Sequence, residues 1–61
     1  MSDIIVSAVE HAACAEHAEP GHRWVVEGDF GFLGSYKTHA EALEAANFDA
    51  KAAGANVLHN E

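Results

Sequence analysis

The chain has 61 residues, with ten acidic side chains against three basic ones and a formal net charge of −7. That length predicts a single domain over residues 1–61, and the charge excludes direct binding to nucleic acid or to an acidic membrane surface. The single cysteine excludes an intrachain disulfide, and no apolar run has the length of a membrane span. We therefore expect a protein of a reducing cytosol, without a signal peptide.

The first predicted element is a short, β-branched strand over residues 3–8. Residues 8–19 are rich in alanine and allow two interpretations. Ser7 and Glu10 have the spacing of a capping box, which favours a short helix within this segment. The lack of a large apolar residue after Val9 favours an ordered loop instead.

Two further strands are predicted over residues 22–27 and 30–37, joined by a turn at Gly28-Asp29. A three-residue loop would place four apolar side chains on one face of this hairpin: Trp24, Val26, Phe32 and Tyr36. A two-residue loop would mix the apolar and polar faces, so we predict the longer loop. Glycines within the second strand are typical of a bulge or of a close backbone approach.

The clearest predicted element is a helix over about residues 38–53. Thr38 and Glu41 form a capping box, and Gly54 lies where a left-handed glycine commonly ends a helix. At about 100° per residue, one stripe should face the sheet: His39, Leu43, Ala46, Ala50 and Ala53. Phe48 lies roughly opposite that stripe. It is predicted either to be covered by the amino-terminal segment or to act as an exposed apolar anchor for a partner.

A short closing strand over residues 56–59 completes the pattern of strand, hairpin, helix and strand. This order predicts an α+β domain, in which a small antiparallel sheet of three to four strands packs on one main helix.

Histidines and the cysteine raise the question of a metal site or a reactive thiol. His11, Cys14 and His17 recur at a spacing of three, but on a helix the outer two would lie about 240° apart. A structural zinc site also needs four ligands. Acidic neighbours raise the pKa of a thiol and oppose its activation as a nucleophile. We therefore predict no metal, no cofactor and no enzymatic activity.

The acidic side chains must lie mostly on the surface, because ionised carboxylates are rarely buried without a partner. Six residues are predicted to bind a partner: Glu27 and Asp29 at the hairpin tip, Glu41, Glu44 and Asp49 on the helix, and Phe48 as the apolar anchor. Carboxylates along one face can imitate the phosphates of a duplex and occupy a basic groove on a nucleic-acid-binding protein. The alternative is a small non-enzymatic interaction module whose acidity only keeps it soluble.

The length, the order of elements and two acidic segments, VVEGDFGF and THAEALEAANFDAKAAG, resemble the small acidic phage-encoded anti-CRISPR proteins, in particular inhibitors of type I effector complexes. Many members of that family bind a Cascade subunit and block target DNA, often at the site that reads the PAM. The resemblance covers most of the chain. It implies a CRISPR effector subunit as the partner, phosphate mimicry by the carboxylates, and the cytoplasm of a bacterial host cell. We further expect a monomer.

The sequence also resembles a family of short domains of unknown function with the pattern W-x-V…Y-x-T-x-x-E-A-x-x-x-A. Here the pattern begins at Trp24 and continues from Tyr36 to Ala46. Because the function of those domains is unknown, this second resemblance implies no activity.

Overall fold

A computed structural model of the chain describes residues 3–29 and 31–60. The elements in chain order are strand β1 (Asp3–Ala8), 3-10 turns at Val9–His11 and Ala15–His17, strands β2 (Trp24–Gly28) and β3 (Gly31–Tyr36), helix α1 (His39–Ala53) and strand β4 (Asn56–Asn60). The strands form one sheet in the order β3-β2-β1-β4, and α1 packs on one face of it. The predicted α+β domain, with its sheet on one main helix, is confirmed.

The sheet is mixed. β1 pairs antiparallel with β2 but parallel with β4. A parallel pair requires a crossover connection, usually a helix, and α1 carries the chain from β3 at one edge to β4 at the other. The closing strand was therefore predicted correctly, but the prediction of a fully antiparallel sheet is wrong, because β4 pairs parallel with β1.

The core lies between α1 and the sheet, where six side chains are buried: Ile4, Val6, Val26, Ala42, Ala46 and Ala50. Because the buried side chains of α1 are all alanines, the helix can lie close to the sheet. The predicted stripe is confirmed at Ala46 and Ala50 but wrong at Ala53, which is exposed. Ala53 has nearly the angular position of Ala42 on the helix. Ala53 is therefore exposed because it lies in the last turn of the helix, and not because it lies on a different helix face.

Both predicted ends of α1 are confirmed. Thr38 is the N-cap, and its Oγ1 accepts a 3.2 Å hydrogen bond from the Glu41 N–H and donates one of 3.0 Å to Glu41 Oε1. Gly54 ends the helix with φ +68, in the left-handed region that glycine adopts without strain. His39 begins the helix with its ring centroid 4.6 Å from that of Trp24. Within the described ranges, no helix is long and apolar enough to cross a membrane.

The hairpin loop is shorter than predicted. Gly28 pairs with Gly31, so two residues and not three separate the strands. Gly31 has φ +104, a conformation that L side chains rarely adopt, and this glycine allows the tight connection. The prediction of a three-residue loop is wrong.

A β-bulge makes the short loop compatible with an apolar face. Val26 pairs with Gly34 and Glu27 with Phe32, so Leu33 is an extra residue in β3. The bulge expected from the glycines is confirmed. It shifts Phe32 to the face opposite Val26, where its ring centroid lies 5.6 Å from that of His17. The prediction that Phe32 shares a face with Val26 is wrong for this reason.

Residues 9–22 form an ordered loop with 3-10 turns and no α-helix. The segment lies over the sheet face that points away from α1. There the Cys14 N–H donates to Glu27 Oε1 at 2.6 Å, and the Glu19 N–H donates to Ser35 Oγ at 3.2 Å. The ordered-loop interpretation is confirmed, and the helical content expected within residues 8–19 is limited to two single-turn 3-10 helices. Ser7 caps nothing, because it is buried within β1.

Candidate protein-binding site

The predicted helix residues meet in one shallow depression of about 500 Å³, which has six lining residues: Tyr36, Glu41, Glu44, Ala45, Phe48 and Asp49. The helix period explains this grouping. Positions 41, 44, 45 and 48 follow the i, i+3, i+4, i+7 spacing of a single helix face. This face points away from the buried alanines, and Tyr36 of β3 lines one side of the depression.

The lining of the depression includes three acidic side chains and no Lys or Arg. Glu41 and Glu44 are exposed, and Asp49 is half-buried. Within residues 3–29 and 31–60, ion pairs join His17 to Glu16 and His22 to Glu19, and no Lys or Arg forms an ion pair with the three carboxylates. The exposed carboxylates of Glu41 and Glu44 therefore contribute negative potential to the surrounding solvent.

Among the described residues, Phe48 is the most exposed of the large apolar side chains, at 75%. The first alternative for this residue, cover by the amino-terminal segment, is wrong. Residues 9–22 are bonded to the opposite face of the sheet, through Glu27 and Ser35. An uncovered aromatic ring beside carboxylates has the composition of an interface anchor with a polar rim.

The two residues predicted at the hairpin tip have different environments. Asp29 is exposed, but Glu27 is only 8% exposed. The Glu27 carboxylate accepts the 2.6 Å hydrogen bond from Cys14 N–H beneath the loop, so it is not available to a partner. Glu27 is therefore removed from the partner-binding set. Asp29 does not line the helix depression.

The Cys14 thiol is held in its protonated form. A hydrogen bond to the Glu27 carboxylate, then desolvation, then the negative charges of Glu27 and Glu16 raise its pKa above the usual value. The predicted direction is confirmed. A thiol with a raised pKa supplies little thiolate at neutral pH, and this disfavours nucleophilic chemistry at Cys14. Within the described part of the chain, no group of three or more His, Cys, Asp or Glu side chains is placed to hold a metal ion.

Sequence reasoning missed Tyr36 as a lining residue, because its distance from the helix depends on the strand register. It also missed a second depression of about 450 Å³, lined by Ala8, Val9, Glu10, His22, Arg23 and Trp24. In that depression the charges of Glu10 and Arg23 offset each other. Of these two depressions, the one on the helix combines charge of one sign with an exposed aromatic ring.

No protein-family model, curated protein or solved structure matches the chain. The fold and the site describe a small α+β domain with an acidic depression on the outer face of its helix.

Proposed function

We propose that this protein is an acidic inhibitor, which binds a basic DNA-handling surface of a type I CRISPR effector complex and blocks the binding of target DNA. The observation that carries the proposal is the depression on α1, where Glu41, Glu44 and Asp49 surround the exposed Phe48. The class of partner follows from the one-sided charge. The particular complex follows from the resemblance to anti-CRISPR proteins.

The density of charge on α1 suits phosphate mimicry. A helix rises about 1.5 Å per residue, so the three carboxylates span roughly 12 Å between positions 41 and 49. One strand of a duplex places a phosphate about every 3.4 Å along the axis, or three to four in that length. A basic groove built for one DNA strand would therefore meet a comparable number of negative charges.

The two kinds of side chain in the depression contribute in different ways. The carboxylates attract the partner over distances up to the Debye length, about 8 Å at physiological salt, and this raises the association rate. The Phe48 ring contributes apolar surface, and full burial of such a side chain stabilises by roughly 2 kcal/mol. The carboxylates thus account for the rate of association and the orientation of the two proteins. Burial of Phe48 accounts for part of the lifetime of the complex.

The direct test reverses the charge of the depression. We expect the variant with Glu41→Lys, Glu44→Lys and Asp49→Lys to lose binding to a purified type I effector complex, and to leave binding of a labelled target duplex unimpeded. Circular dichroism shows whether the variant is folded. Because Glu41 is part of the helix cap, a second version with Glu41→Gln keeps a capping side chain at this position.

The matched control makes the same change in net charge elsewhere, with Glu10→Lys, Glu16→Lys and Glu19→Lys on the loop of residues 9–22. These three residues are exposed and lie away from the depression. We expect this control to keep most of its inhibition. If the helix variant inhibits as fully as the unmodified protein, the proposal of phosphate mimicry is refuted.

The second candidate function is an interaction module that binds through an apolar patch, with the acidity only solubilising. The 75% exposure of Phe48 favours this candidate. The dependence of affinity on ionic strength distinguishes the two candidate functions. A phosphate mimic loses affinity steeply as the salt concentration rises, whereas an apolar module does not. A titration against the effector complex at low and at physiological salt decides between them.

A further inference from the structure

Strand β4 forms one edge of the sheet, and residues 56–60 carry none of the features that usually protect an edge strand. In the described part of the chain, β1 is its only neighbouring strand. Exposed edge strands are normally blunted by charged residues, prolines or bulges, because their free N–H and C=O groups can pair with another strand. The segment NVLHN of β4 contains no charged residue and no proline, and its pairing with β1 is regular from Asn56 to Asn60.

The opposite edge differs in this respect. β3 contains two glycines, and its ladder with β2 is interrupted by the bulge at Leu33. A bulge bends and twists an edge strand and so disfavours the addition of another strand. Of the two edges, β4 is therefore the one suited to strand addition.

The charge distribution indicates what could pair there. Residues 52–60 form the longest stretch of the chain without Asp, Glu, Lys or Arg. Two copies of a chain with net charge −7 repel each other over most of their surfaces. Along β4 they can meet without placing like charges directly opposite each other, which would be destabilising in a strand pair.

The side chains along β4 also fit a second copy. Leu58 is 46% exposed and pairs in register with the half-buried Ile5 of β1, on the sheet face away from α1. An antiparallel pair of β4 strands, related by a two-fold axis at Leu58, places the two Leu58 side chains opposite each other. The apolar row Ile5–Leu58 of one copy then continues into the same row of its partner. A two-fold interface requires self-complementarity of this kind.

We propose that β4 binds the β4 strand of a second copy in antiparallel orientation, so that the two sheets become one continuous sheet. This dimer replaces the monomer expected from the sequence and forms without any effector complex. The acidic depression includes Tyr36 of β3, at the other edge, so it stays accessible in both copies. Because the strand is short and the chains repel, the dimer is weak, and salt strengthens it by screening the repulsion.

Sedimentation equilibrium of the protein alone tests the proposal, over micromolar to millimolar concentration and at low and high salt. We expect the average mass to rise from monomer toward dimer with concentration, and to rise further at high salt. Leu58→Lys should abolish the rise, because it places two cations opposite each other. Leu33→Lys is the matched control, since Leu33 is a comparably exposed leucine on the β3 edge, and it should dimerise normally. A monomeric mass under every condition overturns the proposal, as does dimerisation that is lost in the Leu33 variant alone.

Two further measurements remain informative if a variant folds poorly. Equal mixing of Leu58→Lys with Leu58→Glu should restore a mixed dimer, because opposite charges then face each other. In the unmodified protein, the amides of β4 should exchange more slowly with solvent as concentration rises. A dimer without this additional protection of β4 places the interface elsewhere and overturns the proposal. None of these samples contains an effector complex, so their outcome is independent of the proposed inhibition.

Discussion

The backbone N–H of Cys14 donates a 2.6 Å hydrogen bond to Oε1 of Glu27. This contact ties the loop of residues 9–22 to strand β2 and holds it over the sheet. It also buries one carboxylate, whereas those of Glu41 and Glu44 are exposed. The Glu27 carboxylate therefore contributes, with Ser35, to holding the loop over the sheet, and it lies outside the candidate site.

The first expected outcome concerns the reactivity of Cys14. Glu27 raises the pKa of the thiol through a hydrogen bond and through its negative charge. Glu27→Gln removes the charge, so the pKa should fall toward its usual value and more thiolate should be present at a given pH. The pH dependence of thiol alkylation should shift to lower pH. Glu19→Gln, an exposed control, should leave the profile in place. An unshifted profile in Glu27→Gln would contradict the assigned cause.

The second concerns stability. Glu27→Ala leaves the Cys14 N–H without its acceptor, and loss of a hydrogen bond to a charged group costs roughly 1–3 kcal/mol. We expect a decrease of that size in the free energy of unfolding, measured by urea denaturation, and faster amide exchange in residues 9–22. Glu44→Ala, on an exposed part of α1, should change stability little. Equal stability of the two variants would show that the contact is unimportant in solution.

The third tests the face that α1 presents to the sheet. Ala46 is fully buried, so Ala46→Leu forces additional atoms into the packed core and should destabilise by about 1–3 kcal/mol. Ala53 is exposed, so Ala53→Leu should change stability by no more than about 0.5 kcal/mol. Thermal unfolding of both variants provides the comparison. A large loss in the Ala53 variant would support the stripe predicted from the sequence against the observed packing.

The fourth separates binding from folding at Phe48. Because its ring is 75% exposed, Phe48→Ala should leave the melting temperature nearly unchanged. The proposed complex with the effector should dissociate more rapidly in this variant, with a loss of affinity of roughly tenfold or more. Leu33→Ala is the control, since that leucine is also exposed but lies away from the depression. Unchanged dissociation in the Phe48 variant would remove this residue from the site.

Local signals in the sequence were sufficient for most of the elements. Thr38 and Glu41 identified the start of α1 and Gly54 its end, because capping depends on residues only a few positions apart. The β-branched run of residues 3–8 identified β1 for a similar reason, and the glycines indicated the bulge. Helical spacing alone was also enough to bring Glu41, Glu44 and Phe48 onto one face.

By itself the sequence determined the charge, the α+β class and the helical part of the acidic site, since these follow from composition and from short-range spacing. Only the tertiary structure decided that Glu27 is buried, that Phe48 is exposed and that β4 is an edge strand paired regularly with β1. Each of these depends on which distant segment packs on which face. A one-residue change in register reverses the face of every side chain beyond it, as the bulge does for Phe32.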